Sequence, residues 1–127
     1  MIPDNASRPR ILIVEDEVII AMEIQVRLEN AGFAVCGLTT SGEKAILLAR
    51  EKNPDLILMD ITLKGPLDGM ETAGRIQAEK STPMIFLSAT DNQAVLHEIR
   101  EHRLGLSLAK PFKEADLIAA IRVALGG

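Results

Sequence analysis

Residues 56–73 read LILMDITLKGPLDGMETA, and this stretch decides the fold class. It opens with four apolar residues in a row, which is typical of a strand buried on both faces of a parallel sheet. Asp60 follows that strand directly, and the turn residues at 64–66 separate it from what comes next. Apolar residues then recur at steps of three from Met70, which predicts a helix over about 70–80. The stretch is therefore one strand–loop–helix unit with a carboxylate at the end of its strand.

The same unit recurs on both sides of this stretch. Five apolar strands alternating with five helical patterns predict an α/β fold, with a parallel sheet covered by helices on both faces. The residues predicted to lie in the core include Cys36 and four methionines, Met22, Met59, Met70 and Met84. Strands are predicted at 11–14, 33–38, 56–59, 84–87 and 104–109, and a helix is predicted after each of them. The second helix runs from a Ser41 cap to about Lys52, and the fourth helix covers about 92–102 after an Asp91 cap. The fifth helix ends at about 125.

Length and composition point to one soluble domain. The chain has 127 residues, of which 47% are hydrophobic and 25% charged, and we expect one domain over 10–127 after a loose lead-in at 1–9. A net charge of −4 and the absence of Trp and Tyr argue against direct nucleic-acid binding. The single cysteine excludes an internal disulfide and fits the cytoplasm, and no apolar run approaches the length of a membrane helix.

Reactive side chains follow four of the five predicted strands. Glu15 and Asp16 follow the first strand, and Asp60 follows the third. Ser88 ends the fourth strand and Lys110 the fifth. Ligands of open parallel sheets bind at the carboxyl ends of the strands, so these residues are expected to share one rim. Each residue alone has a plainer interpretation, such as a helix cap or a solvated charge, but the ordered set favours one pocket.

The predicted rim has the chemistry of a divalent cation site. Three carboxylates at one place repel, and each would raise the pKa of the others unless a cation neutralised them. One lysine cannot balance three negative charges, and oxygen ligands in a shallow, water-open site favour Mg²⁺ or Mn²⁺. Neither GxxxxGK[ST] nor GxGxxG occurs, so a nucleotide is not expected. A carboxylate can itself accept a phosphoryl group as an aspartyl phosphate.

Four segments taken together resemble the receiver domain of bacterial two-component response regulators. They are ILIVEDE, the stretch 56–73, PMIFLSAT and the run Lys110-Pro111-Phe112, and the resemblance extends over about 10–125. It implies a flavodoxin-like fold, a (βα)5 three-layer sandwich whose parallel sheet has the strand order 2-1-3-4-5. It also implies a cis peptide bond between Lys110 and Pro111.

The resemblance implies a role for each residue of the metal site. Asp60 matches the phosphoacceptor, which also binds the metal. Asp16 matches the direct Mg²⁺ ligand, and Glu15 matches its acidic neighbour, which acts through water. Thr62 matches the position whose backbone carbonyl completes the metal site.

The resemblance also implies which residues meet the phosphoryl group. Ser88 matches the switch hydroxyl, and Lys110 matches the lysine that pairs with the phosphoryl oxygens. Ala89 matches the small residue that gives the phosphoryl group access. Thr62 and Thr90 flank the path of the hydrolytic water, so they are the candidates for setting the lifetime of the phosphorylated state.

The implied function is signalling rather than turnover of an external substrate. A histidine kinase or a histidine phosphotransfer protein would phosphorylate Asp60, and a protein-interaction surface would then shift for a downstream protein or a fused output domain. A pseudo-receiver, which binds proteins without phosphoryl turnover, remains an alternative. A metal-dependent phosphatase or a flavodoxin-type electron carrier is a further alternative, although the chain lacks aromatic flanks for a flavin ring.

Two positions depart from the family pattern. The aromatic switch residue usually lies three positions before the lysine, where this chain has Ser107. A proline usually lies four positions after the phosphoacceptor, where this chain has Lys64. The first departure implies that the usual hydroxyl–aromatic rotamer switch cannot operate as it does in the family. The second implies a different geometry for the loop after Asp60.

Overall fold

Five strands and five helices alternate along the chain. The computed structural model describes residues 8–88, 93–101 and 105–126. The predicted Asp91 cap, Ala89 and Thr90 lie outside these ranges. The elements are β1 (Arg10–Val14), α1 (Val18–Asn30), β2 (Ala34–Thr39), α2 (Gly42–Lys52), β3 (Leu56–Asp60), α3 (Gly69–Glu79), β4 (Met84–Ser88), α4 (Gln93–Glu101), β5 (Leu106–Ala109) and α5 (Glu114–Ala124).

All strand pairs are parallel, and the sheet order is β2-β1-β3-β4-β5, which confirms the predicted order. Every residue of β3 and β4 is buried, as a continuous apolar run between two helical layers requires. The edge strands are shorter or shifted relative to the prediction. Phe33 is buried in the turn after α1 rather than in β2, and β5 begins only at Leu106, after Gly105.

Two separate cores cover the two faces of the sheet. On one face, alternate strand residues such as Ile13 and Leu58 pack against α1 and α5. On the other face, Met59 and Phe86 pack against α2, α3 and α4. This is the predicted three-layer sandwich. Within the described ranges, no helix combines the length and the apolar character that crossing a bilayer requires.

Three of the predicted core residues, Met22, Cys36 and Met70, are less buried than expected, and Met70 is partly buried at the start of α3. Met22 is 57% exposed, because α1 turns Ala21, Ile24 and Leu28 toward the sheet instead. Cys36 is only partly buried because it lies on the edge strand β2, whose first five residues are all partly buried. Burial nevertheless raises the pKa of the Cys36 thiol.

The connection from β3 to α3 is held tightly against the end of β3. The Gly69 amide donates a hydrogen bond to the Ile61 carbonyl at 3.2 Å, and the Asp68 side chain caps α3 by accepting from the Glu71 amide at 2.8 Å. A Cβ atom on Gly69 would lie 2.1 Å from the Asp60 carbonyl oxygen, so only glycine fits there. The start of α3 therefore packs directly against the backbone of Asp60.

Candidate functional site

Three carboxylates converge at the carboxyl ends of β1 and β3. Glu15, Asp16 and Asp60 each offer an oxygen, and these oxygens all lie within 4.8 Å of one another. The side chains of Glu15 and Asp60 are fully buried, whereas that of Asp16 is 13% exposed. Asp16 therefore forms the mouth of the cluster and the other two form its floor. The predicted rim of three acids is confirmed as a spatial cluster.

Lys110 reaches the same cluster from the end of β5. Its Nζ donates to both carboxylate oxygens of Glu15, at 2.9 and 2.8 Å, and lies 3.6 Å from Asp60 Oδ2. Its backbone amide donates to the Ser88 carbonyl at 2.7 Å, which joins the ends of β4 and β5. The bond between Lys110 and Pro111 is cis, as the resemblance implied.

The two oxygens of Asp60 have different surroundings. Oδ1 accepts from the Thr62 amide at 3.0 Å and from the Thr62 hydroxyl at 2.9 Å. Oδ2 is buried and has no hydrogen-bond partner among the described residues. A buried oxygen without a donor is costly unless something binds it. This orphaned atom, inside a set of oxygen ligands, fits a hard divalent cation such as Mg²⁺.

Two of the three acids have a raised pKa, as their predicted mutual repulsion implies. Burial is the main reason why the pKa of Glu15 is raised, and the negative charge of Asp60 adds to it. Burial and the neighbouring Asp60 also raise the pKa of Asp16.

The pKa of Asp60 shifts in the opposite direction, and a neighbouring cation contributes to that shift. Burial opposes the ionisation of Asp60, whereas hydrogen bonds from the Thr62 amide and hydroxyl and the charge of Lys110 favour it. The pKa of Asp60 is therefore lowered.

A second lysine, Lys64, lies at the mouth of the cluster, where the pattern of strand ends does not predict one. Lys64 Nζ lies 3.9 Å from Asp16 Oδ2, and its side chain is 89% exposed. The sequence signal was its position four residues after Asp60, at the site of the family's usual proline. The count of one lysine against three acids was therefore too low.

The remaining predicted residues are distributed unevenly. Ser88 is buried at the end of β4, next to the strand end that carries Asp60. Ser107, which occupies the position of the family's aromatic switch residue, is exposed on β5. Thr62 presents its amide and hydroxyl to Asp60, whereas its predicted carbonyl role stays a prediction. Ala89 and Thr90 fall outside the described residues.

Comparison with known sequences identifies similar proteins. The sequence model of the response regulator receiver domain matches residues 11–122. The transcriptional regulatory protein PdtaR of Mycobacterium tuberculosis is 33% identical over 122 residues, which is 96% of this chain and 59% of that protein. The phyllosphere-induced regulator PhyR of Methylorubrum extorquens is 34% identical, over 91% of this chain and 43% of that protein. The chain thus spans about half the length of these relatives.

Solved structures match over nearly the whole chain. The signal receiver domain of a modulated diguanylate cyclase from Desulfovibrio desulfuricans superposes with a TM-score of 0.84 at 36% identity, over 94% of this chain and 95% of that one. The receiver domain of PhyR from Erythrobacter litoralis gives a TM-score of 0.83 at 24% identity, over 97% and 94% of the two chains. The second match is informative for the fold alone.

Proposed function

This chain belongs to the response regulator receiver family, and from that premise we propose that Asp60 accepts a phosphoryl group from a phosphohistidine. The donor is a histidine kinase or a histidine phosphotransfer protein. The observation that carries this proposal is Asp60 Oδ2, a buried carboxylate oxygen without a hydrogen-bond partner among the described residues and 3.6 Å from Lys110 Nζ. An oxygen in that state keeps its lone pairs free for phosphorus or for a cation.

The chemical step is a transfer between two covalent carriers. A carboxylate oxygen of Asp60 attacks phosphorus, and the P–N bond of the phosphohistidine breaks. The electron pair of that bond stays on the imidazole nitrogen, which takes up a proton from solvent. Water later attacks the acyl phosphate and returns the Asp60 carboxylate and inorganic phosphate. The lowered pKa of Asp60 favours the carboxylate form, which is the form that attacks.

Mg²⁺ or Mn²⁺ fits the oxygen donors of this site. Asp16, Asp60, the Thr62 carbonyl and, through water, Glu15 would hold it. When bound, the ion supplies positive charge that offsets the negative charge of the transferred group.

Lys110 and Ser88 are the residues that meet the other phosphoryl oxygens. Lys110 Nζ already lies close to Asp60, and its ion pair with Glu15 holds the ammonium group at the floor of the site. Burial alone would lower the pKa of Lys110, but its hydrogen bonds to Glu15 and the charge of Asp60 raise it, so the ammonium stays charged. Ser88 ends the neighbouring strand and supplies a hydroxyl. Ala89 gives access, and Thr62 and Thr90 set the lifetime of the acyl phosphate.

An exposed apolar surface next to the site is where we place the phosphohistidine-bearing partner. On α1, which begins two residues after Asp16, Val18 is 50% exposed, Ile19 77% and Met22 57%. Exposed apolar side chains that cluster in this way mark interaction surfaces. A partner that covers them brings its phosphohistidine toward Asp60. The phosphorylated domain then signals to a downstream protein or to a fused output domain, in the cytoplasm.

The pseudo-receiver is the second candidate, and Ser107 is the observation that favours it. Without an aromatic ring at that position, the usual coupling of hydroxyl and ring is missing. Mass spectrometry after incubation with acetyl phosphate, with and without Mg²⁺, separates the two candidates. We expect Mg²⁺-dependent addition of a phosphoryl group. A chain that stays unmodified and shows no Mg²⁺ binding by calorimetry is a pseudo-receiver.

A further inference from the structure

Lys64 lies on a loop that is buried at both ends, at Leu63 and Leu67, and exposed at its tip. Leu63 is 5% exposed and Leu67 is 8% exposed, so the chain is pinned to the core on both sides of the tip. Between them, Gly65 has a φ of +105°, a conformation that suits glycine and turns the loop back on itself. The backbone of Lys64 therefore directly follows a buried residue, while its exposed side chain extends toward the mouth of the site.

That side chain ends near the most exposed acid of the cluster. The Lys64 ammonium is 3.9 Å from Asp16 Oδ2, and the described residues offer it no other ion-pair partner. Lys110, by contrast, is occupied by the buried Glu15 on the opposite side. The two lysines thus serve different acids, one at the mouth of the site and one at its floor.

We propose that Lys64 competes with the divalent cation for Asp16 and so sets the cation affinity of the site. The inference rests on the proposed function, because it takes Asp16 to be a metal ligand. An ion arriving at Asp16 meets the positive charge of the Lys64 ammonium, which already lies beside that carboxylate. Binding therefore requires the Lys64 ammonium to move away, and it is opposed by charge repulsion. Lys64 acts as a positioning residue through Asp16 rather than as a catalytic residue.

The test is Mg²⁺ titration of the full chain by calorimetry, at about pH 8 so that protons compete little with the ion. We expect Lys64→Ala to bind Mg²⁺ about three- to fivefold more tightly at moderate salt, from the repulsion between one unit charge and a divalent ion across a screened, water-open site. The gain should shrink at high salt. Lys64→Arg keeps the charge and should stay close to wild type.

Lys52→Ala is the matched control. Lys52 is also exposed, but it lies at the opposite end of the sheet, where its carbonyl oxygen accepts a hydrogen bond from Arg10. It changes the net charge equally and should leave the Mg²⁺ affinity unchanged. Urea unfolding of Lys64→Ala checks that the fold is intact, as the exposure of the side chain predicts.

The outcomes separate this inference from the proposed function. If wild type and variants all fail to bind Mg²⁺, the proposed metal site is wrong. If wild type binds Mg²⁺ and Lys64→Ala binds it equally, the competition is wrong and the proposed function stands. If Lys52→Ala tightens binding as much as Lys64→Ala does, the effect is one of net charge and the inference is overturned.

Discussion

Lys110 donates to both carboxylate oxygens of Glu15 at the floor of the site, at 2.9 and 2.8 Å. The Glu15 side chain is fully buried and that of Lys110 is 16% exposed. Such a contact adds little net stability to a fold, since both charges lose water, but removing one partner leaves the other buried and unpaired. The main effect of the contact is therefore to position Lys110 in the site rather than to stabilise the fold.

Lys110→Met should destabilise the chain for that reason. We expect the free energy of unfolding to fall by about 3 kcal/mol near neutral pH, because Glu15 loses its only close cation among the described residues. Adding Glu15→Gln should restore most of the loss, since a neutral amide replaces the stranded charge. Urea unfolding without divalent ions measures both. A loss that Glu15→Gln leaves unchanged would place its cause elsewhere.

Asp16→Asn should stabilise the metal-free chain while weakening Mg²⁺ binding. The folded state raises the pKa of Asp16, mainly by burial and then through Asp60, so the folded chain binds more protons than the unfolded chain just above the ordinary pKa. Stability therefore falls as the pH rises through the raised pKa, and it stays reduced above it. The asparagine side chain does not ionise, so the variant does not lose this part of the free energy of unfolding.

The pH dependence gives that prediction its control. The midpoint of thermal unfolding in the presence of a chelator should be higher for Asp16→Asn than for wild type near neutral pH. The difference should vanish in acid, below the ordinary pKa of an aspartate, where the wild-type Asp16 is protonated in both states. A difference that persists unchanged into acid would mean that charge is not its origin.

Two glycines of α3 should respond to alanine in opposite ways. At Gly69 a Cβ would lie 2.1 Å from the Asp60 carbonyl oxygen and 2.8 Å from Ile61 Cα, so Gly69→Ala should cost about 2 kcal/mol and displace Asp60. Gly74, in the same helix, has nothing within 4 Å. Gly74→Ala should therefore stabilise the chain by about 1 kcal/mol, because alanine favours a helix interior. Urea unfolding of the pair measures both signs in one element.

Most of the fold was predictable because its signals are local. Unbroken apolar runs such as LILM identify buried strands, and the Ser41 cap predicted the start of α2, where its hydroxyl accepts from the Lys44 amide at 3.3 Å. The edges of the sheet were harder to predict. Phe33 is apolar and lies next to β2, yet it packs into the core from a turn, which sequence alone does not distinguish from a strand residue.

The candidate site was predictable at the level of which residues meet, but not how they pair. Strand ends place Glu15, Asp60 and Lys110 together because parallel strands end at one edge. That Lys110 bonds Glu15 rather than Asp60, and that Lys64 reaches Asp16, depends on side-chain geometry across loops. The lowered pKa of Asp60 depends in turn on the local hydrogen bonds of Thr62.

Intact mass spectrometry after incubation with acetyl phosphate and Mg²⁺ tests the phosphoacceptor role most directly. Wild type should gain the mass of one phosphoryl group, lose it on treatment with hydroxylamine, and gain nothing when a chelator removes Mg²⁺. Asp60→Asn should stay unmodified under all of these conditions, with unfolding curves showing that it is folded. A wild type that gains no mass, or an Asp60→Asn variant that gains as much as wild type, would contradict the assignment of Asp60 as the phosphoacceptor.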